Sequence, residues 1–156
     1  MKNIPKDISI FIQKQGFVIV STLDENGSIH SSAKGVVDVE EPGQVYLIDL
    51  YKAKTFDNLK KNPTITITSI NEHVFKGYSL KGQAEIIERE KIEDKIIREW
   101  ERKVINRVTK RLIKNIKRDK GSTLHPESKF PHPKYLIKVE IQDIVDLAPS
   151  HLKSLD

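Results

Sequence analysis

Residues 44–70 read QVYLIDLYKAKTFDNLKKNPTITITSI, which predicts a strand, a basic turn, a short helix and a second strand. The Thr–Ile alternation that starts at Thr64 has the period of two that is typical of strands. Thr55 is a good N-cap residue for the short helix that precedes this strand. Pro63 cannot continue a helix, so this helix is limited to about two turns.

Lys52 and Lys54 lie just before the N-terminus of this helix, where free N–H groups and the helix dipole already present positive charge. Cations are mildly unfavourable there unless an anion shares the site. A phosphate would satisfy the free N–H groups, the Thr55 hydroxyl and the Lys54 ammonium together. Alternatively, Thr55 is only a cap and the lysines are solvated loop residues.

Further strands are predicted on both sides of this stretch, after a short helix at residues 5–15. Asn26-Gly27 supplies the positive φ angles of a tight hairpin turn, and Gly77 and Gly82 indicate a bend, a bulge or a close approach within a strand. The predicted strands cover residues 17–23, 28–39, 44–50, 64–70, 74–87 and 135–146. Their order predicts a mostly β fold with attached helices, a small antiparallel six-stranded barrel.

The chain has 156 residues, which is enough for a single domain (1–156) whose core needs no disulfide or metal. It has no cysteine, so a disulfide framework and a cysteine nucleophile are excluded. A signal-peptide core and a membrane-spanning run are both absent from the sequence, so we expect a cytoplasmic protein without a membrane partner. Five histidines form no helical i, i+4 pair, so no metal site is expected.

The net charge of +5 is concentrated in residues 89–120, which hold thirteen basic and six acidic residues. Apolar residues four apart predict a long basic amphipathic helix at about 89–118, which could break at Asn106. Trp100 lies on the apolar stripe of this helix. It is expected to be a core residue, a dimer-interface residue or a residue that stacks on the flavin. The basic face could bind nucleic acid or an acidic partner. A solvated face is favoured, because the strands lack aromatic stacking pairs.

The order of these elements and four motifs resemble the pyridoxamine 5'-phosphate oxidase-like family of FMN-binding split barrels. The motifs are Asn26-Gly-Ser-Ile-His-Ser-Ser32, Lys54-Thr55-x-x-Asn58-Leu59-x-x-Asn62-Pro63, Leu80-Lys-Gly-Gln-Ala-Glu-Ile86 and Tyr135-Leu-Ile-Lys-Val-Glu-Ile141. The resemblance covers about residues 17–147. It rests on the order and spacing of the motifs, since none of them is specific alone.

The resemblance implies an FMN site on the second and third strands and on the basic turn. Lys54 and Thr55 would hold the FMN phosphate, and Lys34 or Lys52 would stabilise the reduced flavin. The second strand would line the ribityl chain and flavin ring, and the third would form the floor beneath the flavin. The residues implied for these two roles are Ser31, Ser32, Ala33 and Lys34 on the second strand and Ile48, Asp49 and Leu50 on the third.

The resemblance also implies a homodimer with two FMN sites at the interface. The partner chain would complete each site through Trp100 or through the loop Phe130-Pro131-His132-Pro133. True pyridoxamine 5'-phosphate oxidases carry arginines that are missing here, both at His30-Ser31-Ser32 and after Tyr135. These departures count against oxidation of pyridoxamine phosphate and leave the implied FMN binding largely unaffected.

Three functions are compatible with the sequence. The favoured one is an FMN-dependent oxidoreductase that transfers hydride or electrons, with a small-molecule substrate or a nicotinamide electron donor. No catalytic residue is assigned, because in such a protein the cofactor carries the redox chemistry. The second is a redox carrier or flavin-binding module without a dedicated substrate. The third is a nucleic-acid-binding barrel that carries no flavin and uses its basic helix.

Overall fold

The computed structural model describes residues 1–117 and 133–153 and contains nine regular helices and strands within those ranges. Three short 3-10 turns accompany them at Glu72–Val74, Arg89–Lys91 and Ser150–Leu152. In chain order the elements are α1 (Lys6–Gln13), β1 (Val18–Leu23), β2 (Ile29–Glu40), β3 (Gln44–Asp49), α2 (Lys54–Lys61), β4 (Thr64–Asn71), β5 (Lys76–Glu88), α3 (Asp94–Lys117) and β6 (Tyr135–Asp146).

The six strands form a closed antiparallel barrel in the order β1-β2-β3-β6-β5-β4, with β4 pairing back onto β1. The predicted six-stranded, mostly β architecture is confirmed. The tight turn between β1 and β2 has Gly27 at φ 77°, and the Asp24 carboxylate accepts from the amides of Asn26 and Ser28. The predicted hairpin is therefore present, but it spans residues 24–28, and of Asn26 and Gly27 only Gly27 has a positive φ angle.

The barrel interior holds the main apolar core, because alternate residues of every strand point inward. In β3 the inward residues are Val45 and Leu47, both fully buried, as the alternation predicts. α1 adds Ile12 to this core and packs near the end of β2. α2 adds Phe56 and Leu59 and packs near the start of β2. The two helices therefore close opposite ends of the barrel.

A second apolar cluster lies outside the barrel, where α3 covers parts of β2, β3 and β6. Trp100 is buried in it, so this residue packs against its own barrel, one of the predicted roles. The helix begins at Asp94, later than expected, and runs without a break at Asn106. The remaining members of the cluster are Val37, Ile48, Ile92, Ile96 and Leu136.

Gly82 marks a register shift in the pairing of β5 with β6. A Cβ atom at this position would lie 2.2 Å from the carbonyl oxygen of Glu140, so only glycine allows the two strands to approach this closely. This confirms the predicted bulge or close approach within the fifth strand.

Most of the predicted loop at residues 120–134, including Phe130, Pro131 and His132, lies outside the described residues. Within the described ranges, no helix is long and apolar enough to cross a membrane.

The contact between β2 and α3 gives a stability prediction. Gly35→Ala would place a Cβ 2.6 Å from Trp100 Cζ3, and relieving that overlap costs about 1–3 kcal/mol of unfolding free energy. Urea denaturation should show a smaller cost in a Trp100→Leu background, where the indole ring is gone. An equal cost in both backgrounds would contradict this account of the contact.

Candidate functional site

The first turn of α2 begins earlier than the sequence suggested. Ala53 occupies the N-cap position, with φ −130° and ψ −154°, and no side chain caps the helix. The predicted N-cap role of Thr55 is wrong, because this residue is already inside the helix. Its side chain is buried against the barrel. The first amides of α2 therefore have neither an intrahelical acceptor nor a side-chain cap.

Two side-chain hydrogen bonds attach α2 to the mouth of the barrel. The hydroxyls of Ser32 and Thr55 are 2.9 Å apart, and the Asn58 amide donates to the Thr22 hydroxyl over 3.0 Å. Thr22, Thr55 and Asn58 are all buried. A buried polar group needs a partner, so these pairs fix both the position and the rotation of the helix.

A buried charged cluster lies beside these contacts. The Asp49 carboxylate is 2.7 Å from the Lys34 ammonium, and their side chains are only 5% and 10% exposed. The Tyr135 hydroxyl donates to the same carboxylate over 2.5 Å, and the Tyr51 amide donates to it over 3.3 Å. Asp49 thus links β2, β3, β6 and the chain entering α2.

Tyr135 is the site residue that sequence reasoning missed. Its ring packs edge-on against Phe56, with ring centroids 4.9 Å apart, so it also supports the first turn of α2. The available signal was the alternation in β3, which places Asp49 on the same inward face as Val45 and Leu47. An acidic residue on a buried face calls for a cation and a donor.

The four residues predicted along the ligand divide between two faces of β2. Ser32 and Lys34 point towards the barrel mouth, whereas Ser31 and Ala33 are exposed on the outside. Cross-strand partners lie on the same face, so Ser31 shares the outer face with Ser21, and their hydroxyls are 2.9 Å apart. One ligand face can therefore meet the side chains of only two of the four residues.

The three predicted floor residues also occupy different surroundings. Ile48 is 2% exposed and lies in the cluster under α3, on the opposite side of β3 from Asp49. Leu50 packs at the edge of the same cluster. The structure therefore brings Asp49 together with Lys34 and places Ile48 and Leu50 beneath α3.

Of the two lysines of the basic turn, Lys52 has the more definite partners. Its ammonium is 2.6 Å from Glu88 and 5.0 Å from the centre of the Phe56 ring. Lys54 is more exposed, at 54% of its side chain, and its ammonium is 4.0 Å from the Asp24 carboxylate. Lys54 therefore lies at the open helix start with one long, weak charge contact.

The closed six-stranded antiparallel barrel with its attached helices matches the split-barrel class of proteins. A family model described as pyridoxamine 5'-phosphate oxidase matches residues 4–146. The chain belongs to this family, whose members typically bind a flavin. A comparison with curated proteins finds no match.

Several solved structures share the fold at low sequence identity. HupZ of Group A Streptococcus superposes with a TM-score of 0.62 and 17% identity over 92% of this chain and 94% of that chain. A protein named F420 reductase superposes with a TM-score of 0.58 and 13% identity over 91% of this chain and 98% of that chain. The third is a protein of Clostridium acetobutylicum that is related to general stress protein 26, of the pyridoxinephosphate oxidase family. It superposes with a TM-score of 0.54 and 16% identity over 96% of this chain and 99% of that chain.

The buried phenol gives a pH prediction. Burial, and then the hydrogen bond to the Asp49 carboxylate, raise the pKa of Tyr135 above the unfolded value of about 10. Its contribution to stability is complete below about pH 10 and is lost as the pH rises further, because the unfolded chain then releases the proton. Denaturation at pH 8–11 should show a shallower alkaline loss of stability in Tyr135→Phe.

The matched control is Tyr51→Phe, because Tyr51 is 59% exposed and its contact with Asp49 is made by the main chain. This variant should keep the alkaline slope of the wild-type protein. If both variants change the slope equally, the slope does not arise from the buried phenol.

Proposed function

We propose that the chain binds FMN with its phosphate at the N-terminus of α2. The observation that carries this proposal is the uncapped helix start with the exposed Lys54 beside it. A phosphate accepts hydrogen bonds from the first-turn amides and neutralises the lysine. The Thr55 hydroxyl is turned to Ser32, so in this proposal Thr55 contributes its main-chain amide.

The rest of the cofactor would lie along β2, above the exposed Ser31 and Ala33. The Ser31 hydroxyl, paired with that of Ser21, faces solvent on the outer face and would meet polar groups of the ribityl chain, and Ala33 leaves room for a flat ring. Ser32, Lys34 and Asp49 would act from beneath, by holding α2 and setting the charge under the phosphate.

Bound FMN would supply hydride or electron transfer, which makes the protein an oxidoreductase. The chain would bind and orient the flavin, and a small-molecule substrate or a nicotinamide would exchange electrons with it. Membership of the family supports this choice, and so does the fold shared with a protein named F420 reductase. A redox carrier without its own substrate is the second candidate, and it would use the same site.

We further propose that the protein acts as a homodimer through the outer face of β4, β1 and β2. β1 and β4 pair only as far as Ile19 and Thr68, and beyond this point Phe17 and Ile70 flank a cleft of about 220 Å³. Both side chains are 63% exposed. Adjacent exposed apolar residues of this size are typical of protein interfaces. Ala33 continues the same face, so a partner there would also border the flavin.

Nucleic-acid binding through α3 receives less support. In the first half of α3, the Arg102 guanidinium is 2.6 Å from the Glu99 carboxylate, and the Lys95 ammonium is 3.5 Å from the Glu40 carboxylate. The Lys103 ammonium donates to the main chain of Val37. These charges are partly compensated within the protein, as expected of a solvated helix face.

The phosphate cradle predicts the effect of removing one charge. Lys54→Ala should weaken FMN binding about 5- to 50-fold while leaving riboflavin binding nearly unchanged, because only FMN carries the phosphate. Titration of flavin fluorescence measures both affinities.

The control for this variant is Lys14→Ala, an exposed lysine just after α1 at the opposite end of the barrel. It removes an equal charge away from the cradle and should change FMN affinity less than twofold. Wild-type protein that retains no flavin, or equal effects from both variants, would refute the proposed cradle.

The dimer face makes a separate prediction. Phe17→Ser combined with Ile70→Ser should shift the protein from dimer to monomer in light scattering, because the contact loses two of its exposed apolar side chains. Ile105→Ser is the control, since this α3 residue is 62% exposed but lies elsewhere. A wild-type monomer, or a dimer that survives the double change, would refute this interface.

A further inference from the structure

The buried pair of Lys34 and Asp49 lies directly beneath the start of α2. Lys34 follows Ser32 on the same face of β2, and the Ser32 hydroxyl touches Thr55 in the first turn of the helix. Asp49 ends β3 and accepts a hydrogen bond from the amide of Tyr51, in the segment that leads into α2. Both charges therefore lie close to the place where a phosphate would bind.

We propose that Asp49 determines how strongly the site distinguishes a flavin with a phosphate from one without. Its carboxylate cancels the positive charge of Lys34, so Lys54 and the helix amides remain the main attraction for the phosphate. This inference rests on the proposed flavin function. It goes further by assigning ligand selectivity to a residue that does not touch the ligand.

The expected size of the effect follows from distance and screening. Residues two apart on a strand are about 7 Å apart, so the pair lies within about a Debye length of the cradle. A full charge at that range, partly shielded from solvent, changes the affinity for a phosphate dianion about three- to tenfold. The affinity for riboflavin should be nearly unaffected.

A purely structural role makes a different prediction. If the pair only holds β2 against β3, each single substitution weakens the protein, and both flavins lose affinity together. The ratio of the FMN affinity to the riboflavin affinity separates the two cases, because general loosening of the site cancels in that ratio.

The experiment compares the wild-type protein with three variants. For each protein, the affinities for FMN and riboflavin are measured by fluorescence titration. Asp49→Asn leaves the Lys34 charge uncancelled and should raise the ratio of FMN to riboflavin affinity three- to tenfold. It also keeps an oxygen acceptor for Tyr135. Lys34→Met leaves the carboxylate uncancelled and should lower the ratio by a similar factor. The double variant should return to the wild-type ratio.

Opposite shifts in the two single variants, restored in the double variant, would support the inference. If the wild-type protein binds FMN but the ratio stays constant in all variants, the inference fails and the proposed function stands. If the wild-type protein binds neither flavin, both fail. Should Asp49→Asn not fold, a lowered ratio in Lys34→Met supports the inference and an unchanged ratio overturns it. In Lys34→Met the carboxylate keeps its donors Tyr135 and Tyr51.

Discussion

The burial of the Asp49 carboxylate is the constraint on which the mouth of this barrel depends. A buried carboxylate is stable only when cations and donors surround it, and here one ammonium, one phenol and one amide do so. These three groups come from β2, β6 and the segment before α2. A single acidic residue therefore fixes three parts of the chain that are distant in sequence.

The placement of α2 follows from this arrangement. Tyr135 supports Phe56, and Ser32 holds Thr55, so the first turn rests on the polar end of the barrel. Because Ala53 occupies the N-cap position and has no polar side chain, the first amides of α2 have no side-chain acceptor.

The sequence predicted those features that depend on local pattern. The Thr–Ile alternation identified β4, Asn-Gly identified the first hairpin, and Gly82 identified the close approach in β5. It did not predict the bond between Asp49 and Tyr135, because 86 positions separate them and no local rule connects them. The helix start was misplaced for a similar reason: a tertiary contact with Ser32 outweighs the capping preference of Thr55.

Helices α2 and α3 cover different parts of the barrel, and the candidate site lies where these covered parts end. α3 covers β2, β3 and β6 through Trp100, which packs so closely on Gly35 that only glycine fits beneath the ring. Two positions earlier on the same outer face, Ala33 is exposed, and so the covering ends between these residues. The proposed flavin position lies at this boundary, between a helix of the same chain and an apolar face that a second copy would cover. A short stretch of β2 thus separates the part of the barrel surface that α3 covers from the part that stays exposed in this chain.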